Sequence, residues 1–278
     1  MKRLINYYLY TKSIWFMFRL LLAWIFVKLY NIFWMKSKMW IFLLRIANRF
    51  CSKEYIFTTP FWKYLCKWLQ EYILMNKNYE PWIWNIIKKL SQNHDGGYII
   101  NIWCNIWRWT IDLAKNYNYK VLAFEPAPKT YYSLNVNVAL SNLLNNVQTF
   151  NVALWDKNGF AKFEYEEYHN WSSHIIDNNK NNLNLWWKII DVPLKKFDDL
   201  GIEDGIIKNT RLLIMDVEWF EFNVLRWMKD TLKIFKNISL IIEIWEDSKT
   251  KEETIKFLED LWYKTDKIDE SNYLFSKA

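Results

Sequence analysis

From residue 96 onward, short apolar runs alternate with longer stretches whose apolar residues recur at helical spacing. Tyr98–Trp103, Lys120–Glu125, Val147–Val152, Arg211–Val217 and Ile238–Ile244 have strand length and are rich in Ile, Val and Leu. RLLIMDV and ISLIIEI are apolar at nearly every position, the pattern of a strand covered on both faces. Between them Arg108–Tyr117, Lys129–Leu140, Phe220–Lys229 and Lys251–Trp262 read as helices, the second opened after Pro126 and Pro128. Phe160–Glu166 alternates apolar and polar residues as a half-exposed strand does, Lys188–Pro193 is another such strand, and Tyr273–Ser276 is a last one. This order predicts an α/β domain over residues 96–278, with a mostly parallel, doubly wound sheet and helices on both faces. Right-handed crossovers then bring the carboxyl ends of the strands to one edge, where such sheets bind ligands.

Upstream the pattern differs. Residues 61–95 read as a helical lead-in, with Pro81 starting the segment Trp82–Leu90 and Asn93-His94-Asp95-Gly96-Gly97 forming a turn. Residues 1–60 read as a basic, aromatic, helical extension. Ten Lys and Arg and one acid, Glu54, fall within residues 1–54, against +7 for the whole chain, so the main body is nearly neutral and shows no nucleic-acid footprint. Arg19 and Lys28 interrupt the apolar stretch Ile14–Trp34. Its longest unbroken run, Leu20–Val27, is far short of the roughly 20 residues a membrane span needs. No small-residue cleavage site follows a compact apolar core. Two readings stand: a peripheral element on an anionic inner membrane face, or helices packed on the domain. Cys51, Cys66 and Cys104 are far apart, form no CxxC pair and suit a reducing cytoplasm; together with His94, His169 and His174 they call for no metal.

Composition changes the picture at one point. The chain has 19 Trp and only 5 Gly in 278 residues, whereas an average chain carries about 7 % Gly. Two Trp occupy the glycine slots of a nucleotide-binding turn in Asn101-Ile102-Trp103-Cys104-Asn105-Ile106-Trp107, and Trp155-Asp156 and Trp186-Trp187 fall where a turn former is wanted. We read most of these tryptophans as glycine positions, written from UGA codons that some bacterial lineages read as glycine; the alternative is a truly Trp-rich protein. With Gly at 103 and 107, the turn follows a strand and opens a helix, letting the backbone approach a ligand without a Cβ and aiming N–H groups at it. As written, two indoles sit near the pocket floor. Glu125 ends the second strand about 20 residues further on, where an acid accepts hydrogen bonds from two ribose hydroxyls. An ordinary loop carboxylate before Pro126 is the other reading.

Four motifs in order then carry a resemblance. INIWCNIWRWTIDLA, VLAFEPAPKTYYSL, NVALWDKNG and MDVEWFEFNVLRWM resemble the D-I-G-A-N-I-G, A-F-E-P, A-L-G-D-x-x-G and K-I-D-V-E-G-x-E-x-x-V-L-x-G segments of the FkbM methyltransferases. Trp103, Trp107, Trp155, Trp219 and Trp227 fall on family glycines, as does Trp171 before Ser172-Ser173. The resemblance runs from about Tyr79 to the C-terminus. It implies a Rossmann-like class I methyltransferase fold and S-adenosyl-L-methionine as cofactor, held by Asn101, Trp103, Cys104, Asn105, Trp107 and Glu125, with Asn151 toward the adenine. The family's opening Asp is Asn101 here, which keeps an acceptor but loses a charge, and the family's Lys before its I-D-V-E-G run is replaced, with Met215 preceding Asp216. Asp216 and Glu218 would face donor and acceptor, one of them as general base for a hydroxyl, although Glu218 also suits a helix cap. Ser172, Ser173 and His174 line the acceptor pocket or a solvated loop, and His174 is the imidazole available as a base. The implied reaction is O-methylation of a sugar, glycan or small-metabolite hydroxyl. A dinucleotide-dependent oxidoreductase and a non-catalytic, membrane-associated binding module are the rivals; the D-V-E-W run has no role in the first, and literal Trp103 and Trp107 would support the second.

Overall fold

A computed structural model describes residues 55–58, 63–66, 81–92, 96–105, 108–166, 173–176, 187–217 and 219–277. Most of the basic N-terminal segment, including all of residues 1–54, lies outside the described residues, as do Trp107, Trp171, Ser172 and Glu218. The end of the expected helical extension and the start of the expected helical lead-in are instead an antiparallel pair, β1 (Tyr55–Thr58) with β2 (Lys63–Cys66). Helix appears at α1 (Pro81–Gln92), begun by the proline whose fixed φ suits a first helical position.

The domain then alternates strand and helix: β3 (Gly97–Ile102), α2 (Arg108–Asn116), β4 (Tyr119–Phe124), α3 (Pro128–Leu140) and β5 (Val147–Phe150). After an insertion come α4 (Asp204–Lys208), β10 (Thr210–Met215), α5 (Glu221–Arg226), α6 (Lys229–Ile234), β11 (Ile238–Glu243), α7 (Lys251–Glu259), β12 (Lys264–Lys267) and β13 (Asn272–Lys277). The seven-stranded sheet runs β12-β13-β11-β10-β3-β4-β5. Its five strands from β11 to β5 are parallel, and β13 inserts antiparallel between β11 and β12. This is the mostly parallel, doubly wound, Rossmann-like arrangement that the sequence predicted. Strand order reverses between β3 and β10, which places the ligand crevice at their carboxyl ends.

The near-continuous apolar runs are explained by burial on both faces, because successive strand residues point to opposite sides. Ile99, Val121, Leu212 and Ile214 pack on one side with Ile83, Ile87, Ile111, Leu113, Leu134 and Val138 of α1, α2 and α3. Ile100, Leu122, Leu213, Met215 and Leu240 pack on the other with Val224, Leu225, Leu232 and Leu258 of α5, α6 and α7. Leu213 is fully buried, in register with Ile100 and Leu240. Its replacement by Ala is expected to cost about 2–5 kcal/mol. Urea unfolding measures this, and a loss under about 1 kcal/mol would contradict its place in the core.

The insertion forms a second sheet in the order β6-β9-β7-β8, made of β6 (Ala153–Leu154), β7 (Gly159–Glu166), β8 (His174–Ile175) and β9 (Trp187–Lys195). Its apolar face (Ala153, Phe163, Tyr165, Ile175, Val192 and Leu194) packs with Trp103, Ala127 and Phe220, which leave the carboxyl ends of β3, β4 and β10. A layer thus covers the ligand edge of the main sheet. Two expectations change and one strand is new. Trp187 begins β9 rather than a turn. The helix expected over Phe220–Lys229 is broken at Trp227-Met228 into α5 and α6. β12, with the polar sequence KTDK, had no apolar alternation to announce it.

Candidate active site

Three loops leave the carboxyl edge side by side. The loop after β3 carries Trp103, Cys104 and Asn105; the Cys104 N–H donates to Phe124 O at 2.9 Å, which stitches this loop to the end of β4. Glu125 follows β4 and is 3 % exposed. Its Oε2 accepts the Asn105 N–H and its Oε1 the Ala127 N–H, both at 2.9 Å. Asn151, just past β5, donates through Nδ2 to the carbonyls of Glu125 and Pro126 at 2.8 and 2.9 Å. The structure therefore brings together Asn105, Glu125 and Asn151, with Asn151 acting as a tie between loops. Cys104 is buried beside them, and burial, followed by the Glu125 charge, pushes its thiol well above the ordinary range. Asn101 points toward α2, where its Nδ2 donates to Thr110 Oγ1 at 3.1 Å.

Across the crevice, Asp216 is exposed as the first residue beyond β10, between buried Met215 and Val217. Glu218 and Trp107 lie outside the described residues. Ser173 is buried. His174 sits in β8, its Nε2 3.4 Å from Glu164 Oε2 on β7. Sequence reasoning passed over one buried acid: Glu221, the first residue of α5, is 1 % exposed and its Oε1 accepts the Trp219 N–H at 3.2 Å. The available signal was an acid in the first turn of a helix that follows a buried strand.

Glu125 and Glu221 thus play matching parts, each a buried carboxyl holding the loop beside it. Burial raises Glu125 to about 8, against the pull of its two backbone N–H donors. Burial also raises Glu221 to about 7, helped by the nearby Glu243 charge. The unfolded chain releases both protons near 4.5. Between there and about 8 the folded chain holds more protons, so stability falls as pH rises through that window. We expect the melting temperature to drop from pH 5 to pH 8, and the drop to shrink in Glu125→Gln. An equal pH slope in that variant would show that Glu125 does not titrate this way.

A buried carboxylate at the end of β4 fits a pair of ribose hydroxyls. The indole of Trp103 does not fit a ligand lying over this edge. It is half-buried, 5.5 Å from the Phe163 ring, and packed between the main-sheet core and the small sheet. The Trp155 ring lies 4.6 Å from the Phe220 ring, tilted by 56°, and Phe220 bridges the same two layers.

The Methyltransferase FkbM domain matches residues 92–265. Methyltransferase sdnD of Sordaria araneosa is 26 % identical over 188 residues, covering 59 % of this chain and 72 % of that one. Among solved structures, M. jannaschii TYW2 in complex with AdoMet shares 14 % identity with a TM-score of 0.42, covering 82 % of this chain and 88 % of its own. The N-terminal domain of human METTL16 shares 13 % with a TM-score of 0.43, covering 72 % and 70 %.

Proposed function

This chain belongs to the FkbM methyltransferase family, whose methyl donor is S-adenosylmethionine, and from that premise we propose that it methylates a hydroxyl of a sugar, glycan or other small molecule. When bound, the donor supplies a methyl group on a sulfonium that already leaves readily. What the chain must add is position and a place for the acceptor's proton. The observation carrying this reading is the switch-point crevice, where the β3 loop is tied to buried Glu125 and faces the segment beginning at exposed Asp216. In it, Glu125 would hold the ribose, the Asn105 loop would lie against the donor, and Asp216 or Glu218 would accept the hydroxyl proton. His174, within the covering sheet, would reach the acceptor from the other side. The family match sets aside the dinucleotide oxidoreductase. Among the described residues no helix is long and apolar enough to cross a membrane.

The test uses the chain carrying Gly at 103 and 107, since an indole at 103 occupies the crevice. It is incubated with S-adenosylmethionine and a panel of sugar, glycan and small-metabolite hydroxyl acceptors alongside amine acceptors, and release of S-adenosylhomocysteine is followed. Release with hydroxyl acceptors supports the reading; release with amines alone overturns the O-methylation assignment.

A further inference from the structure

Seven residues other than glycine have a left-handed backbone among those described. Four are asparagines (Asn105, Asn118, Asn142 and Asn237) and three are tryptophans, Trp103 at φ 65°, Trp219 at φ 80° and Trp262 at φ 69°. Four of the five glycines, Gly96, Gly97, Gly159 and Gly201, lie there too. Asn is the side chain that best tolerates this region after glycine, because its short amide can bond locally, whereas a bulky residue there is an outlier. Trp has neither property.

The clearest case lies far from any site. Helix α7 ends with the Tyr263 N–H donating to Leu258 O at 3.1 Å and the Trp262 N–H to Glu259 O at 2.9 Å. Helix α3 ends identically, the Leu143 N–H donating to Val138 O and the Asn142 N–H to Ala139 O, both at 3.0 Å. This paired ending puts a left-handed residue just past the helix, where glycine is usual and Asn the common substitute. One helix has Asn there; the other has a Trp that is 86 % exposed and so gains little by burial. Trp84 and Trp109 are the contrast, in α1 and α2, with rings 4.5 Å apart in ordinary helix packing.

We propose that 103, 219 and 262 are glycine positions of the working protein, and that the indole of Trp103 closes the crevice to an adenosyl ligand. The second part rests on the methyltransferase reading; the first does not. A UGA codon at each position is the expected source, and UGG there overturns that source.

The experiment has two arms. Trp262→Gly should raise the melting temperature by about 2–4 °C, and Trp262→Asn should also raise it, as at Asn142. Trp109→Gly should lower it by about 5 °C or more. No rise at 262 overturns the glycine assignment. In the second arm, folded Trp103→Gly, alone and with Trp107→Gly, is titrated calorimetrically with S-adenosylhomocysteine. The chain as written should show no binding below about 1 mM, and the Gly form a Kd of about 100 µM or tighter. Trp103→Ala, which keeps a Cβ at positive φ, should fall between them. Binding by the chain as written overturns the closure. A Gly form that takes up NAD instead of S-adenosylhomocysteine overturns the methyltransferase reading while leaving the closed crevice standing.

Discussion

Asp216→Asn, made in the chain with glycine at 103 and 107, is expected to lower methyl transfer about 10²–10⁴-fold while leaving cofactor affinity nearly unchanged. The size follows from the chemistry. A hydroxyl attacking a sulfonium methyl must shed its proton, and the amide of Asn cannot take one. The selectivity follows from place. Asp216 is exposed beyond the end of β10, while its neighbours Met215 and Val217 hold the backbone in the core at 1 % exposure each. An isosteric change there disturbs no packing. Initial rates of S-adenosylhomocysteine release, beside its calorimetric affinity, measure the two quantities. A parental rate would leave Asp216 as a loop residue, and a matching fall in affinity would move it to the cofactor. Glu218→Gln in parallel decides which of the two acids carries the proton.

Glu125→Ala in the same background is expected to weaken S-adenosylhomocysteine binding above pH 8, where the carboxyl is charged, by about 1.5–3 kcal/mol, the scale of hydrogen bonds to a charged group. The variant also strips the Asn105 and Ala127 N–H groups of their acceptor, so the β3 loop loses its tie as well as the ribose its partner. Circular dichroism separates the two effects, because a folded variant with weak binding isolates the site. The pH profile carries a further sign. Ribose hydroxyls favour the carboxylate, which burial holds protonated up to about 8, so affinity should tighten as pH rises toward that value and then level off. The buried Cys104 thiol feels the same charge but is itself pushed further up by burial. Glu125→Gln should flatten the profile; an unchanged profile would show that another group titrates.

Local pattern and spacing by themselves determined the strands β3, β4, β10 and β11, because a strand buried on both faces must be apolar at almost every position. They also determined that a turn after β3 and an acid about 20 residues later belong together, and the 2.9 Å bond from Asn105 to Glu125 is the contact behind that spacing. The imbalance of 19 Trp against 5 Gly pointed to glycine positions before any coordinates. Other features were decided only in three dimensions. Nothing local sets β13 antiparallel between β11 and β12, since strand order depends on partners distant in the chain. β12 is polar because it lies at an edge, and β7 and β9 read as ordinary half-exposed strands until their pairing places them in a separate sheet over the crevice. Glu221 stood in the sequence only as an acid opening a helix, and its burial and its acceptance of the Trp219 N–H came from the fold. The same holds for which tryptophans demand glycine: Trp84 and Trp109 pack as helix residues, whereas Trp103, Trp219 and Trp262 are forced to positive φ by hydrogen bonds and packing that only the assembled fold supplies.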